Sequence, residues 1–88
     1  MTYPSEQEWD FTEEEREEID LEMLREDLVG ELQAINQYQE HIDILDSEDA
    51  IQVLEHIRDD EKEHVAELIK LIQRLDTTQA EKFEKESL

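Results

Sequence analysis

The sequence is poor in the residues that build sheets, disulfide scaffolds and membrane spans. It contains no cysteine, which excludes disulfides, iron–sulfur clusters and zinc sites with thiolate ligands. Gly30 and Pro4 are the only glycine and proline among 88 residues, so little turn chemistry is available for a β-sheet. No apolar run approaches the length of a membrane span and no signal peptide is visible, so we expect a cytoplasmic protein.

Basic residues are scarce as well. Eight Lys and Arg stand against 28 Asp and Glu, which gives a net charge of −20. Nucleic acids and anionic membrane surfaces both require clustered basic side chains, so this balance argues against both partners. The acidity favours attraction of cations, although most of the acidic residues are expected to form a solvated surface.

What remains is a composition typical of long helices, and we predict an all-α fold in a single domain, residues 1–88. Thr12 begins a capping-box pattern, which places the start of the first helix near Glu13. An acidic turn around Ser47 separates this helix from a second one. The predicted elements are a flexible arm (1–11), helix 1 (13–45), helix 2 (48–75) and a short C-terminal helix 3 (79–86, with Thr78 as its cap).

The arm at residues 1–11 carries three aromatic side chains, Tyr3, Trp9 and Phe11, among acidic residues. Chain termini are commonly disordered, which is one interpretation of this segment. The other is that the aromatic side chains dock onto a neighbouring subunit.

Each long helix carries a seam of residues that recur alternately every three and four positions, as in helix bundles. The first seam is Leu21, Leu24, Leu28, Glu31, Ile35, Tyr38, Ile42 and Leu45. The second is Ala50, Leu54, Ile57, Glu61, His64, Leu68, Leu71 and Leu75. A side stripe on helix 2, formed by Val65, Ile69 and Ile72, is expected to contact helix 3 or a further subunit.

Three polar residues interrupt these apolar seams, namely Glu31 on helix 1 and Glu61 and His64 on helix 2. At about 1.5 Å rise per residue, Glu31 and His64 both lie roughly 21 Å from the turn near Ser47, so they should face each other across the hairpin. A charge inside an apolar seam costs several kcal/mol unless it is neutralised. A bound metal ion would neutralise these residues. The alternative is that Glu31 reaches past the seam to solvent and His64 is a core histidine with satisfied hydrogen bonds.

The Glu-x-x-His spacing of Glu61 and His64 places both side chains on one helix face. Di-iron carboxylate bundles require a lone Glu from two helices and Glu-x-x-His from two others, and this chain supplies one of each. Since two helices cannot enclose a core, we expect a two-fold symmetric homodimer that completes a site with two copies of each ligand. The ligands suit Fe, with Mn or Zn possible.

The other candidate residues receive weaker predictions. Tyr38 lies on the seam two turns from Glu31, where it could hydrogen-bond a ligand or supply an electron, or could simply be a core aromatic residue. His41 and His56 flank the seams and are expected at the surface. Glu63 and Glu67 are expected on a solvated face, from which they could also guide cations to the site.

The segments Glu31–Tyr38 and Arg58–His64 resemble the encapsulated ferritins, half-sized members of the ferritin-like superfamily. The resemblance implies a two-helix hairpin with a short third helix. It also implies that two subunits build a ferritin-like four-helix bundle with a ferroxidase centre at their interface. It further implies an annular decamer inside an encapsulin nanocompartment, whose shell protein stores the iron that the cargo oxidises. The family's ligands fall on Glu31, Glu61 and His64.

The chain departs from the family pattern at three positions. Gly30 and Gln33 stand where some members carry acidic residues proposed to catch iron, and Gln37 stands where a tryptophan often precedes the tyrosine. No targeting tail is recognisable after Phe83, so we expect either a shortened chain or a domain fused to the shell protein.

Two rival functions remain beside the ferroxidase. One is a rubrerythrin-like peroxide reductase that uses the same centre. The other is a non-catalytic helical assembly module whose metals are structural.

Overall fold

The computed structural model describes residues 10–87 of the chain. In this range the chain forms three α-helices and no strand, which confirms the all-α class. The helices are α1 (Glu13–Ile44), α2 (Glu48–Leu75) and α3 (Thr77–Lys85). Of the predicted arm, Tyr3 and Trp9 lie outside the described residues, and Phe11 is exposed.

Helix α1 begins where the capping pattern predicts. The Thr12 side chain accepts a hydrogen bond from the backbone N–H of Glu15 at 3.1 Å, which satisfies one of the donors left free at a helix start. The helix ends at Ile44, one residue earlier than predicted, because Leu45 adopts an extended backbone conformation. Leu45, predicted as the last seam residue, consequently lies in the connection to α2 and is exposed.

Helices α1 and α2 form an antiparallel hairpin. Ser47 caps α2, its hydroxyl accepting from the N–H of Ala50 at 3.2 Å. Contacts between the two helices run in opposite order along the chain. Near the turn, Gln39 meets Arg58, and farther from the turn Glu31 meets His64. The short connection and this pairing order set which residues lie at the same level.

Helix α3 begins two residues before the predicted start at 79, and its cap is Asp76 rather than Thr78. The Asp76 carboxylate accepts from the N–H of Gln79 at 3.1 Å, while the Asp76 N–H donates to the Ile72 carbonyl at 2.8 Å. Asp76 therefore ends α2 and starts α3 with no further linker. Its extended backbone, with φ −122° and ψ 98°, turns the chain at this point.

The interior of the described chain is very small. Only Leu21 and Ile72 are buried, at 6% and 4% exposure. Ile72 is therefore covered within the chain itself, and Val65 and Ile69 beside it are half-buried. By contrast, Leu71 and Leu75 of the predicted second seam remain 37% and 47% exposed, so these two positions do not belong to the core of the hairpin.

Candidate metal centre

Three side chains from two helices converge on one point of the hairpin. His64 Nδ1 lies 3.4 Å from Glu61 Oε2 on its own helix and 3.6 Å from Glu31 Oε2 on α1. One ligand atom from each of the three residues can be chosen so that all lie within 4.8 Å of one another. Among the described residues, these three form the one group of His and acidic side chains with this geometry. The structure therefore brings together the three residues singled out from the sequence.

The local sequence explains this convergence. Glu61 and His64 are separated by three positions, so a regular helix places them on one face, one turn apart. Glu31 reaches the same level because the connection between Ile44 and Glu48 is short and the helices run antiparallel. No cis peptide and no residue with positive φ is needed within the described range. Helix periodicity and turn length thus place the three residues at the same level of the hairpin.

The cluster is half-open to solvent. The side chains of Glu61 and Glu31 are 18% and 27% exposed, whereas that of His64 is 50% exposed. Two carboxylates brought this close repel each other, and a protonated imidazole or a divalent cation between them would relieve that repulsion. The donor set of carboxylate oxygens and one imidazole nitrogen fits Fe, Mn or Zn. The residues present therefore fit a metal ion, with His64 on the accessible side.

An open groove lies over the cluster, between α1 and α2. Its lining residues are Glu26, Asp27, Gly30, Glu31, Ala34, Glu61, His64, Glu67, Leu68 and Leu71. Glu67 is exposed, as predicted, whereas the sequence gives no expectation for the acidic pair Glu26 and Asp27. Helical spacing could have predicted that Asp27 and Glu67 share the faces of the cluster, because Asp27 lies one turn before Glu31 and Glu67 lies one turn after His64. The groove therefore extends the acidic surface of the cluster along both helices.

The other candidate residues lie apart from the cluster. Tyr38 is half-buried and is not part of the groove lining. His41 and His56 are exposed, as predicted, and the His56 Nε2 lies 3.3 Å from Asp60 Oδ2 on the next turn. Glu63 is exposed and does not line the groove. It lines an adjoining surface depression with Lys70 and Arg74 that shares Glu67 and Leu71 with the groove.

Two polar links between helices lie on either side of the cluster, and neither was anticipated from the sequence. Toward the turn, Arg58 Nη1 donates to Gln39 Oε1 at 2.9 Å. Toward the other end, Arg25 Nη2 donates to Asp76 Oδ2 at 3.0 Å. In both links, contact between the two side chains depends on the rotation of each helix about its axis. The periodicity of the sequence does not define this rotation.

Arg58 also donates from Nε to Asp59 Oδ1 at 3.1 Å. This hydrogen bond is the largest effect on the Asp59 carboxyl and lowers its pKa below 3.8. Desolvation, the next largest effect, opposes it, and the electrostatic influence of Arg58, Lys62 and His56 lowers the pKa further. Asp59 therefore stays ionised well below neutral pH.

Comparison with known proteins identifies the family. A sequence profile described as EncFtn-like matches residues 7–87. The chain belongs to the EncFtn-like family. It is also 49% identical, over 57 residues, to the "Encapsulin nanocompartment cargo protein EncC" of Myxococcus xanthus (strain DK1622). The matched region covers 65% of this chain and 44% of that relative, so the chain spans less than half of the curated protein that it matches.

Membership of the EncFtn-like family confirms the resemblance noted from the segments Glu31–Tyr38 and Arg58–His64. No helix in the described part of this EncFtn-like chain is long and apolar enough to cross a membrane.

Proposed function

We propose that this chain is a ferroxidase that oxidises Fe(II) to Fe(III) with dioxygen at a di-iron centre between two subunits. The ligands are Glu31, Glu61 and His64 from each chain. The observation that carries the proposal is the convergence of these three side chains beneath an open groove. Family membership supports it, because the EncFtn-like match spans nearly the whole chain.

The need for a second subunit follows from the number of donors. One chain offers two carboxylates and one imidazole, which are too few to hold two metal ions. A two-fold axis beside the groove doubles this set, and the carboxylate charge of the pair then balances two divalent ions. The exposed Leu71 borders the same groove and provides apolar surface for such a contact. A homodimer is therefore the minimal active unit, and an annular decamer is the larger assembly that we propose.

Within this unit, the residues of the chain bind and orient the substrate iron. Glu61 and His64 would hold one ion from a single helix face, and Glu31, whose carboxylate lies 3.6 Å from His64, would bind it from the opposing helix. Bound iron would supply the redox chemistry. Two Fe(II) ions would give one electron each to one dioxygen, which with two protons becomes hydrogen peroxide. Carboxylate ligands favour the higher charge of Fe(III), which assists that loss. The acidic groove residues Glu26, Asp27 and Glu67 attract the incoming cation.

We further propose that the oxidised iron is stored inside an encapsulin nanocompartment in the cytoplasm. The relative from Myxococcus xanthus is named as the cargo of such a compartment, and its similarity to this chain supports the assignment. A hairpin of this size encloses no storage cavity of its own, so the mineral requires a container supplied by a shell protein.

The test is native mass spectrometry of the protein titrated anaerobically with Fe(II). We expect two irons per pair of chains, and loss of both in Glu31→Ala. Glu63→Ala is the matched control, because Glu63 is a glutamate of α2 that lies outside the groove. Absence of stoichiometric iron at every oligomer size would contradict the proposal. Tight zinc binding without Fe(II) turnover would instead indicate structural metals, and faster oxidation by peroxide than by dioxygen would indicate a peroxide reductase.

A further inference from the structure

Arg58 makes a hydrogen bond across the hairpin that the proposed ferroxidase reaction does not itself require. Its Nη1 donates to the Oε1 of Gln39 on α1 at 2.9 Å, and its Nε donates to Asp59 at 3.1 Å. The Gln39 amide is fixed in turn, because its Nε2 donates to Asp43 Oδ1 at 2.8 Å. The result is a continuous chain of hydrogen bonds that joins the two helices.

The location of Arg58 is unusual for a basic residue of this protein. All eight Lys and Arg residues lie in the described range, and Arg58 is the one among them that is not exposed. Its side chain is 17% exposed, compared with 50% for Arg25 and 58% for Lys62. Arg58 also lies one helical turn from Glu61, on the same face of α2.

A half-buried cation at this position needs an explanation. Burial of a charge costs free energy, and a positive charge near a cation site weakens metal binding by repulsion. The partner of Arg58 on α1 is a neutral amide, so charge pairing across the hairpin does not account for its placement. What the side chain does provide is a long, directional donor that reaches the opposite helix.

We propose that Arg58 is a positioning residue. Its hydrogen bond to Gln39 holds α1 and α2 at the level and rotation that bring Glu31 to Glu61 and His64. The Arg25–Asp76 link acts on the other side of the cluster, so the three ligands lie between two fixed points. This inference rests on the proposed metal centre and adds a residue that touches neither metal nor oxidant.

The test is a titration with Co(II), followed by visible absorption, on Arg58→Met, Gln39→Ala, Arg58→Lys and the control Lys62→Met. Both variants that break the cross-helix bond should bind Co(II) about 10-fold more weakly, as is typical when the residue orienting a ligand is lost. Their spectra at saturation should also differ from the wild type, because Glu31 is displaced. Arg58→Lys retains a donor and should restore both affinity and spectrum. Lys62→Met removes an exposed cation from the same helix and should change neither.

The combined variant Arg58→Met with Gln39→Ala should bind no more weakly than either single variant, since all three lack the same bond. Tighter Co(II) binding by Arg58→Met, with Gln39→Ala unchanged, would show that only the charge of Arg58 matters and would overturn the inference. Unchanged saturated spectra in both variants, with reduced stability alone, would overturn it as well. Failure of the wild type to bind Co(II) would instead overturn the metal centre itself. Circular dichroism checks that each variant retains its helices.

Discussion

His64 Nδ1 lies between two carboxylates, 3.4 Å from Glu61 Oε2 and 3.6 Å from Glu31 Oε2, so one imidazole nitrogen faces an acidic side chain on each helix. This relationship joins α1 to α2 through groups that can all bind the same cation. It also means that removal of any one residue leaves an incomplete site.

Substitution of a single ligand should stop rapid iron oxidation without unfolding the hairpin. In Glu31→Ala, Glu61→Ala and His64→Ala we expect the initial rate of Fe(II) oxidation to fall by more than the roughly 10–100-fold that follows loss of an orienting partner. Stopped-flow absorbance measures the rate and circular dichroism measures helicity. Glu63→Ala should oxidise iron at the wild-type rate. Wild-type rates in all three ligand variants would refute the site assignment.

Substitutions of Leu71 test whether a second subunit covers the groove. It lines the groove beside the cluster and is 37% exposed in the single chain. Leu71→Glu would place a charge in the proposed apolar contact, so we expect a smaller sedimentation mass together with loss of bound iron. Leu71→Met preserves apolar volume and should retain both. An unchanged mass for Leu71→Glu would mean that the subunits meet elsewhere.

Substitution of Gly30 is expected to make the protein more stable. It lies inside α1, its φ is not positive, and a Cβ added there meets nothing within 4 Å. Gly30→Ala should therefore raise the free energy of unfolding by about 0.5–1 kcal/mol, because alanine loses less backbone entropy in a helix. Urea denaturation measures this change. A lower stability would indicate close approach of another chain at Gly30.

Asp76 should contribute to stability through two separable interactions. Asp76→Ala removes both the cap of α3 and the ion pair with Arg25. We expect a loss of about 1 kcal/mol from the cap and about 0.2–1 kcal/mol from the partly exposed ion pair. Asp76→Asn can still cap the helix and should lose only the smaller part. Urea denaturation distinguishes the two, and equal losses would show that the cap contributes little.

The ionisation of Asp59 should depend on Arg58. The hydrogen bond from Arg58 lowers the pKa of Asp59 below 3.8 in the folded chain. The ionised Asp59 therefore stabilises the fold in full at pH values above its pKa in the unfolded chain. This stabilisation is lost as the pH falls through the lower pKa of the folded chain. Arg58→Met should raise the pKa of Asp59 toward 3.8, as measured by carboxyl-carbon NMR. No change would show that the neighbouring charges, rather than Arg58, hold the carboxyl ionised.

The sequence predicts the helices and the candidate cluster because both depend on short-range periodicity. The cap at Thr12 and the facing of Glu31 with His64 follow from spacing and a short turn. The last residue of α1 differs from the prediction by one position, and α3 begins two positions and ends one position earlier than predicted. At the start of α3 two residues could serve as the N-cap. The Asp76 carboxylate accepts the hydrogen bond from the Gln79 N–H, so the helix begins before Thr78.

Other features depend on the rotation of each helix about its own axis. A seam whose residues recur every three and four positions defines that rotation only to within a fraction of a turn. That is why Ile72 is buried while Leu71, its neighbour in sequence, is exposed. The same uncertainty concealed the Gln39–Arg58 link, since each partner lies at the margin of its predicted seam. Long-range side-chain pairs of this kind require both rotations to be known at once.

Within residues 10–87 only two side chains, Leu21 and Ile72, are buried, and this bears on how cells would handle the protein. So small an interior leaves an isolated copy near the limit of stability, and the proposed association of subunits would supply much of the free energy of folding. We expect its melting temperature to rise with protein concentration and newly made copies to be sensitive to proteases until they associate. Abundance would then depend on mass action, because dilution shifts the protein from the associated state toward the less stable isolated chain.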